Sequence, residues 1–513
     1  MSVKSMLAEP FGTLSALVGA HARERPARVA LVHGDRVVSY AALDRLADRV
    51  AAALERDSIG PGDAIAIAAA TSIDYVAVFI GALRAGAAPT PLPVSATSDA
   101  VGRMIADAAS RVLFMDERAA VDSPAAAPLR VALGPVAGAV AFTDWLAPES
   151  AVPRRLAIAP DAAFNILYSS GTTGTPKGIV QSHRMRWQHV QRVDYGDDAV
   201  TLISTPLYSN TTLVSVIPTL ARGGSVVLMD KFDAGRYLAL AERHRVTHTM
   251  LVPAQYRRLM AHPAFDSFDL TAFRMKFATS APFPAALKAE VLRRWPGGLT
   301  EFYGLTEGGG VCVLAAHERP DKLHTVGCPA PGSEFRVIDE AGRELPVGEA
   351  GEIVGRSAAM MTGYHRRPEA TADAEWRDAA GRSYLRTGDV GRFDAEGFLT
   401  LLDRRKDMII SGGFNVYPSD VEAVLAGHGA VADVAVFGVP SDRWGETPVA
   451  AVVLEPGVGA AAEELRTWAN ARLGATQRLA ALMVVAELPR SEIGKVLKRE
   501  LRERFVTGPA TGS

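Results

Sequence analysis

Over about the first 320 residues the chain alternates short β-rich runs with amphipathic helical stretches, and no other feature restricts its fold as strongly. "RVALVHGDRVVSY" reads as a hairpin turning at His33-Gly34-Asp35, with an amphipathic helix following from Ala41 to Ala53. "GGSVVLMD" reads as a buried strand, "AGRYLALAERHRV" as a helix, and "THTMLV" as a further strand stopping at Pro253. "FRMKFATSAPF" and "LTEFYGLTEGGG" read as strands that run into loops. Strands alternating with helices build a mostly parallel sheet, because parallel neighbours need a crossover between them. Ligands of such sheets bind beyond the carboxyl ends of the strands, so the chemistry is expected in those loops.

A chain of 513 residues exceeds the roughly 250–300 residues over which a single core grows, so more than one domain is expected. The texture changes near Val326, where "EFRVIDEAGRELPVGEAGEIVGR" and "RFDAEGFLTLLDRR" read as short antiparallel strands joined by Gly-containing turns. After "DRRKD" a compact α+β unit follows: helix "PSDVEAVLAGH", strands "VADVAVFGV" and "PVAAVVLEP", helix "AAEELRTWANARL", strand "ALMVVAEL" and a basic helix "KVLKRELRERF". That last helix is read as a solvated face before an anion site. The expected fold is thus a large N-terminal α/β domain with parallel-type sheets flanked by helices, and a small α+β C-terminal domain. The expected division is 1–404, with a β subdomain over about 326–404, then 405–513, with a disordered tail from about 506.

Composition narrows the function classes. The apolar fraction is 48% and the formal net charge is −2, so there is no bulk attraction to nucleic acid or to acidic membrane surfaces. Two cysteines, Cys312 and Cys328, form no metal-ligand spacing, and a reducing cytoplasm is the simplest location. The N-terminus has no long apolar region of the secretory type. The most apolar long window, "AIAIAAATSIDYVAVFIGALRAGAA", contains Asp74 and Arg84 and reads as a buried strand and helix, not a membrane span. A homodimer is one expected assembly, but the sequence does not specify the oligomeric state.

The segment "LYSSGTTGTPKGI" carries spaced glycines, hydroxyls and a lysine, as a phosphate-binding loop does. It is not a Walker P-loop, since Pro176 precedes Lys177 and Gly178 follows it. Glycines allow backbone N–H groups to approach an anion, Ser169, Ser170, Thr172, Thr173 and Thr175 add donors, and Lys177 can offset a phosphate charge. A polar surface loop is the plain alternative.

In this order the residues "YSSGTTGTPKG" resemble the phosphate-loop signature of the adenylate-forming superfamily, which includes acyl- and aryl-CoA synthetases, peptide-synthetase adenylation domains and firefly luciferase. Further segments resemble the family's other motifs, in order: "EFYGLTE", "GEIVGRSAAMMTGYHRRPEAT", "YLRTGDVGRFDAEGFL", "DRRKDMIISGGFNVYPSDVE" and "PRSEIGKVLKREL". With "SYAALDRLADRVAAAL" similar to the opening helix, the resemblance covers nearly the whole chain.

The resemblance implies two half-reactions. A carboxylate attacks the α-phosphate of ATP to give acyl-AMP and pyrophosphate, and a thiol then displaces AMP. Ser169, Ser170, Gly171, Thr172, Thr173, Gly174 and Lys177 would grip the β- and γ-phosphates. Thr306 would contact phosphate, and Glu307 would help hold Mg²⁺, a hard cation suited to oxygen ligands. Tyr303 would pack on adenine, Gly304 would let the acyl group pass, and Asp389 with Arg404 would take the ribose hydroxyls. Lys495 would stabilise the crowded oxyanions of adenylation from a mobile C-terminal domain hinged at Lys406.

Candidate walls of the acyl pocket are Tyr208, Ser209, Met250, Ser280, Ala281, Gly304 and Gly308-Gly309-Gly310. Three glycines after Glu307 point to a roomy pocket for a bulky aromatic (cinnamate- or benzoate-like) or alicyclic acid, with a medium-chain fatty acid as the alternative; equally, they serve only a turn. In "TPLYSNTT" Ser209 stands where the family commonly has histidine, which puts the gating by that ring in doubt. Coenzyme A is the favoured acceptor, and the resemblance implies that Gly412 and Gly413 line its tunnel and that Trp444 lies near its entry; a separate carrier protein is the alternative.

Overall fold

The computed structural model describes residues 1–119, 129–169, 177–404, 407–411, 414–441, 445–474, 477–491 and 495–507. The chain divides into two compact units. The first comprises residues 1–324, 329–334 and 356–385, and the second residues 325–328, 335–355 and 386–513.

The central sheet of the first unit has six parallel strands in the order Gly298–Leu305, Met275–Ala278, His248–Leu251, Val200–Ile203, Ser225–Leu228 and Val29–His33. Each edge of that run is an antiparallel hairpin. Arg36–Ser39 folds back on Val29–His33, and Gly308–Ala315 folds back on Gly298–Leu305. The second hairpin corrects the expected strand-then-loop: only Thr306 and Glu307 form the turn, and the three glycines lie in the returning strand. A second parallel sheet contains Ala88–Pro91, Ala64–Ala68 and Val112–Met115, with Leu129–Ala132 and Val140–Ala141 beyond.

Burial explains the near-continuous apolar runs. Ala64–Ala68 is buried at every position, and helix Ile73–Ala85 is buried on nearly all sides. A parallel strand covered on both faces has no solvent side to alternate toward. Ser72 caps that helix by accepting from Tyr75 N, and Gly86 ends it at φ 77°, a left-handed position that glycine takes without strain. Among the described residues no helix is long and apolar enough to cross a membrane.

Two lysines in the first unit are buried. Lys276 has no exposed surface, and its Nζ donates to the carbonyls of Trp295, Pro296 and Gly297 at 3.1, 2.7 and 2.7 Å. Burial pulls its amine down to about 7. Lys288 forms an ion pair with Glu301 and donates to Leu323 O at 2.8 Å, while burial pushes the Glu301 carboxyl up to about 7.

In the second unit a sheet runs in the order Phe414–Val416, Ile409–Ser411, Gly445–Leu454, Val431–Ser441, with Ala481–Val484 parallel to Gly445–Leu454. Val436, Ala450 and Val452 pack against helices Pro418–Ala426 and Ala462–Asn470, while Ala435, Phe437, Val449 and Ala451 bury the other face with Leu501. The basic helix Lys498–Thr507 takes in Val506 and Thr507, which were expected in the tail. It is not simply solvated: Leu501 is fully buried, Lys498 pairs with Glu422 at 2.9 Å, and Arg502 Nε donates to Gly438 O at 2.7 Å. Replacing Lys276 by Met should leave the carbonyls of Trp295, Pro296 and Gly297 without their shared donor and cost about 1–3 kcal/mol, most of it at the buried Trp295. Urea titration of the purified variant checks this through the shift of its unfolding midpoint.

Candidate functional site

The phosphate-loop segment is closed by a hairpin. Strand Ala163–Ser169 pairs antiparallel with Lys177–Ser182, and the last register pair is Ser169 with Lys177. Ser170, Gly171, Thr172, Thr173 and Gly174 lie outside the described residues. A third strand, Gly363–Tyr364, adds to the hairpin, with Tyr364 opposite Ile179. His365 N donates to Gly178 O at 2.7 Å and Thr362 N to Val180 O at 2.9 Å, which fixes the register on both sides of Tyr364.

Tyr364 links two groups that were expected to serve ATP. Lys177 Nζ stands 5.1 Å from the centre of its ring, a cation–π distance, and its hydroxyl donates to Glu307 Oε1 at 3.1 Å. Burial, reinforced by the Glu307 charge, holds the phenol above its ordinary range, so it stays a donor. The turn itself is held at three points: Gln181 Nε2 donates to Thr306 O at 2.7 Å, Met361 N to Glu307 O at 2.8 Å, and Tyr364 to the Glu307 side chain.

Behind Gln181 lies Arg186, 4% exposed, whose Nη2 donates to Gln181 Oε1, to Asn210 Oδ1 at 2.8 Å and weakly to Asn165 Oδ1 at 3.5 Å. Burial pulls this guanidinium down to about 9. Tyr364, Gln181 and Arg186 were not among the expected site residues. Tyr364 sits in a segment already singled out. Arg186 left one faint trace, a cation on the helical stripe His183, Arg186, Trp187, Val190 that otherwise faces the core.

The acyl-pocket candidates fall at the carboxyl ends of neighbouring parallel strands. Ser209, 8% exposed, is the N-cap of helix Asn210–Arg222, its Oγ accepting from Thr211 N at 3.3 Å. Thr211 Oγ1 and Ser280 Oγ are 2.5 Å apart, and Ser280 holds φ 81°, a costly angle for a non-glycine residue. Tyr208 and Ala281 are half-buried, and Met250 is buried against Tyr195 and Phe277. Tyr303 is buried opposite Cys312, whereas Gly304, opposite Val311, is exposed.

Gly308, Gly309 and Gly310 have φ of 89°, 79° and 98°. A Cβ at Gly308 would stand 2.2 Å from Ala359 O. Backbone conformation and a close backbone approach therefore account for the triplet without any appeal to pocket volume.

Within the second unit, Asp389 is buried and faces Arg404 in register across strands Ser383–Phe393 and Leu399–Arg404. Lys495 is exposed, and its backbone is tied to Ser491 by Ser491 N to Lys495 O at 2.8 Å and Lys495 N to Ser491 Oγ at 3.2 Å. Lys406, Gly412, Gly413 and Trp444 lie outside the described residues.

A Mg²⁺ ion is implied by the motif set. Among the described residues no three His, Cys, Asp or Glu side chains cluster as a dedicated metal cage. Glu307, half-buried at a turn, fits Mg²⁺ nonetheless, because this ion takes one or two carboxylates and completes its shell with substrate phosphates and water.

The segment closed by this antiparallel hairpin, beside a Thr-Glu turn at the end of a parallel-sheet strand, is the arrangement expected of the adenylate-forming class. The chain belongs to the AMP-binding enzyme family, whose model matches residues 18–365, while the AMP-binding enzyme C-terminal domain matches residues 420–495. It is an enzyme of the AMP-forming acyl- or aryl-CoA ligase type. It is 35% identical over 490 residues to a feruloyl-CoA synthase of an Amycolatopsis species, covering 94% of this chain and 97% of that protein. It is 32% identical over 510 residues to the fatty acid–[acyl-carrier-protein] ligase ScoC of Streptomyces coeruleorubidus, covering 96% of each. The amide bond synthetase McbA of Marinactinospora thermotolerans superposes with a TM-score of 0.85 at 31% identity, covering 96% of this chain and 100% of that one.

Gly308→Ala should destabilise the first unit by roughly 1–3 kcal/mol, because it forces a side chain into a left-handed position against Ala359 O. A thermal melt unchanged from the wild type would contradict that account of the glycines.

Proposed function

We propose that the protein activates a bulky aromatic or alicyclic carboxylic acid with ATP and transfers the acyl group to coenzyme A. The observation that carries the nucleotide half is the Thr306–Glu307 turn, pinned by Gln181, Met361 and Tyr364 beside the hairpin that ends at Lys177. In this reading Lys177 leaves the Tyr364 ring for phosphate, and Thr306 donates its hydroxyl there. Glu307 offers its carboxylate to Mg²⁺, which when bound neutralises the phosphate charge. Asp389, with Arg404 opposite in register, takes the ribose hydroxyls, and Tyr303 packs on adenine. Lys495 supplies the cation that the carboxylate and α-phosphate need as they approach.

The acid is the less constrained half. The aromatic reading draws support from the similarity to a feruloyl-CoA synthase. The glycine triplet adds little to it, since the left-handed φ values are a reason for glycine apart from pocket volume. Ser209, as a helix cap, keeps a hydroxyl in place of an imidazole at the pocket edge. A fatty acid, or a carrier-protein thiol as acceptor, is the second reading, favoured by the similarity to ScoC.

Acid-dependent ATP–pyrophosphate exchange across aromatic, alicyclic, short- and medium-chain acids decides the substrate. Cinnamate- or benzoate-type acids should give the highest kcat/KM, and acetate or propionate as the best substrate would sink the proposal. Lys495→Ala should slow that exchange on the order of 10²–10³-fold. Thioester formation from supplied acyl-AMP should fall far less, a difference read by single-turnover assays; equal loss in both steps would deny Lys495 its assigned role.

A further inference from the structure

We propose that Arg186 is a positioning residue for the Thr306–Glu307 turn, acting through Gln181, and that it joins this turn to the start of the helix beside the acid pocket. The inference rests on the reading that the turn receives the nucleotide phosphates.

Arg186 is an anomaly as a core residue. It sits on the inward stripe of helix His183–Arg192 at 4% exposure, with the Phe164 ring 5.7 Å from its Cζ. A buried charge normally has an opposite charge beside it. Here every hydrogen-bond partner among the described residues is a neutral amide oxygen, from Asn165, Gln181 or Asn210, and Nε has no partner among them. If packing were the only requirement, an apolar side chain of similar volume would satisfy it at lower cost. The cation therefore serves something that an apolar residue cannot.

What it can do follows from donor and acceptor chemistry. Arginine has only donors, so the Gln181 amide must turn its oxygen toward Arg186. The NH₂ group of the same amide then has a single direction left, and it meets Thr306 O at 2.7 Å. Without the guanidinium the amide could flip and present oxygen to oxygen. Fixing Thr306 O fixes the peptide that joins Thr306 to Glu307. Met361 N and Tyr364 Oη then hold Glu307 by its carbonyl and carboxylate.

The same Nη2 atom donates to Asn210 Oδ1, on the first residue of helix Asn210–Arg222. The next residue, Thr211, contacts Ser280, an expected wall of the acid pocket. One guanidinium thus bridges the nucleotide-side turn and the acid-side helix start. A shift at either is felt at the other through three hydrogen bonds and the side chains of Gln181, Arg186 and Asn210.

Gln181→Glu is the decisive variant. The new carboxylate gives Arg186 an ion-pair partner of unchanged shape, so the melting temperature should match or exceed the wild type. It also replaces the donor at Thr306 O with an acceptor, so calorimetric titration with Mg·ATP, without acid, should show about 10- to 100-fold weaker binding. Arg186→Lys, which keeps the charge and loses the planar fork, should weaken Mg·ATP in the same direction. A merely structural cluster would lower the melting temperature of either variant and leave its Mg·ATP affinity unchanged. Affinity within twofold of the wild type in folded Gln181→Glu would overturn the proposal, and so would failure of that variant to fold, because the ion pair should hold the cluster. The titration needs no acid: silence of the wild type toward every acid in the exchange panel would remove the substrate reading and leave this comparison standing.

Discussion

The short pairing of Gly363–Tyr364 with strand Lys177–Ser182 is the contact on which the arrangement of the nucleotide side depends. A two-residue strand contributes little by itself, and its register is set by His365 N on Gly178 O and Thr362 N on Val180 O. Because side chains alternate along a strand, a slip of one residue would turn Tyr364 to the opposite face and separate Lys177 from Glu307. That register lets one phenol hold a cation over its ring and a carboxylate at its hydroxyl.

The rest of the first unit supports this contact through rigid elements. The parallel strands present Ser209, Ser280 and Thr306 beyond their carboxyl ends: Met275–Ala278 and Gly298–Leu305 are neighbours, and His248–Leu251 separates them from Val200–Ile203. Buried lysines stiffen the frame behind them: Lys276 holds three carbonyls of segment 295–297, and Lys288 holds Glu301, two residues before Tyr303. Leaving these groups unpaired would cost more than the pairs return, so the frame resists local rearrangement.

The fold was largely legible in the sequence. Periodicity located the strands Ser225–Leu228, His248–Leu251 and Met275–Ala278 and the helix Ala234–Arg243, since covered parallel strands and amphipathic helices leave distinct patterns. It failed at "LTEFYGLTEGGG", where three glycines read as a loop. Their left-handed φ values lie within a strand, permitted by the pairing of Gly298–Leu305 with Gly308–Ala315 and by the backbone at Ala359. The same glycines do not by themselves point to a pocket, because their φ values and the approach of Ala359 O to Gly308 are a separate reason for glycine there.

The sequence by itself determined the class of enzyme, because the family's motifs need particular side chains in a particular order along the chain. It could not reveal Tyr364 as the link between Lys177 and Glu307, nor Arg186 as the residue that orients Gln181. Those roles arise from strand register, which brings Tyr364 to Lys177 and Glu307, and from burial, which leaves Arg186 and Gln181 to satisfy one another. Only tertiary structure decides which polar groups must satisfy one another.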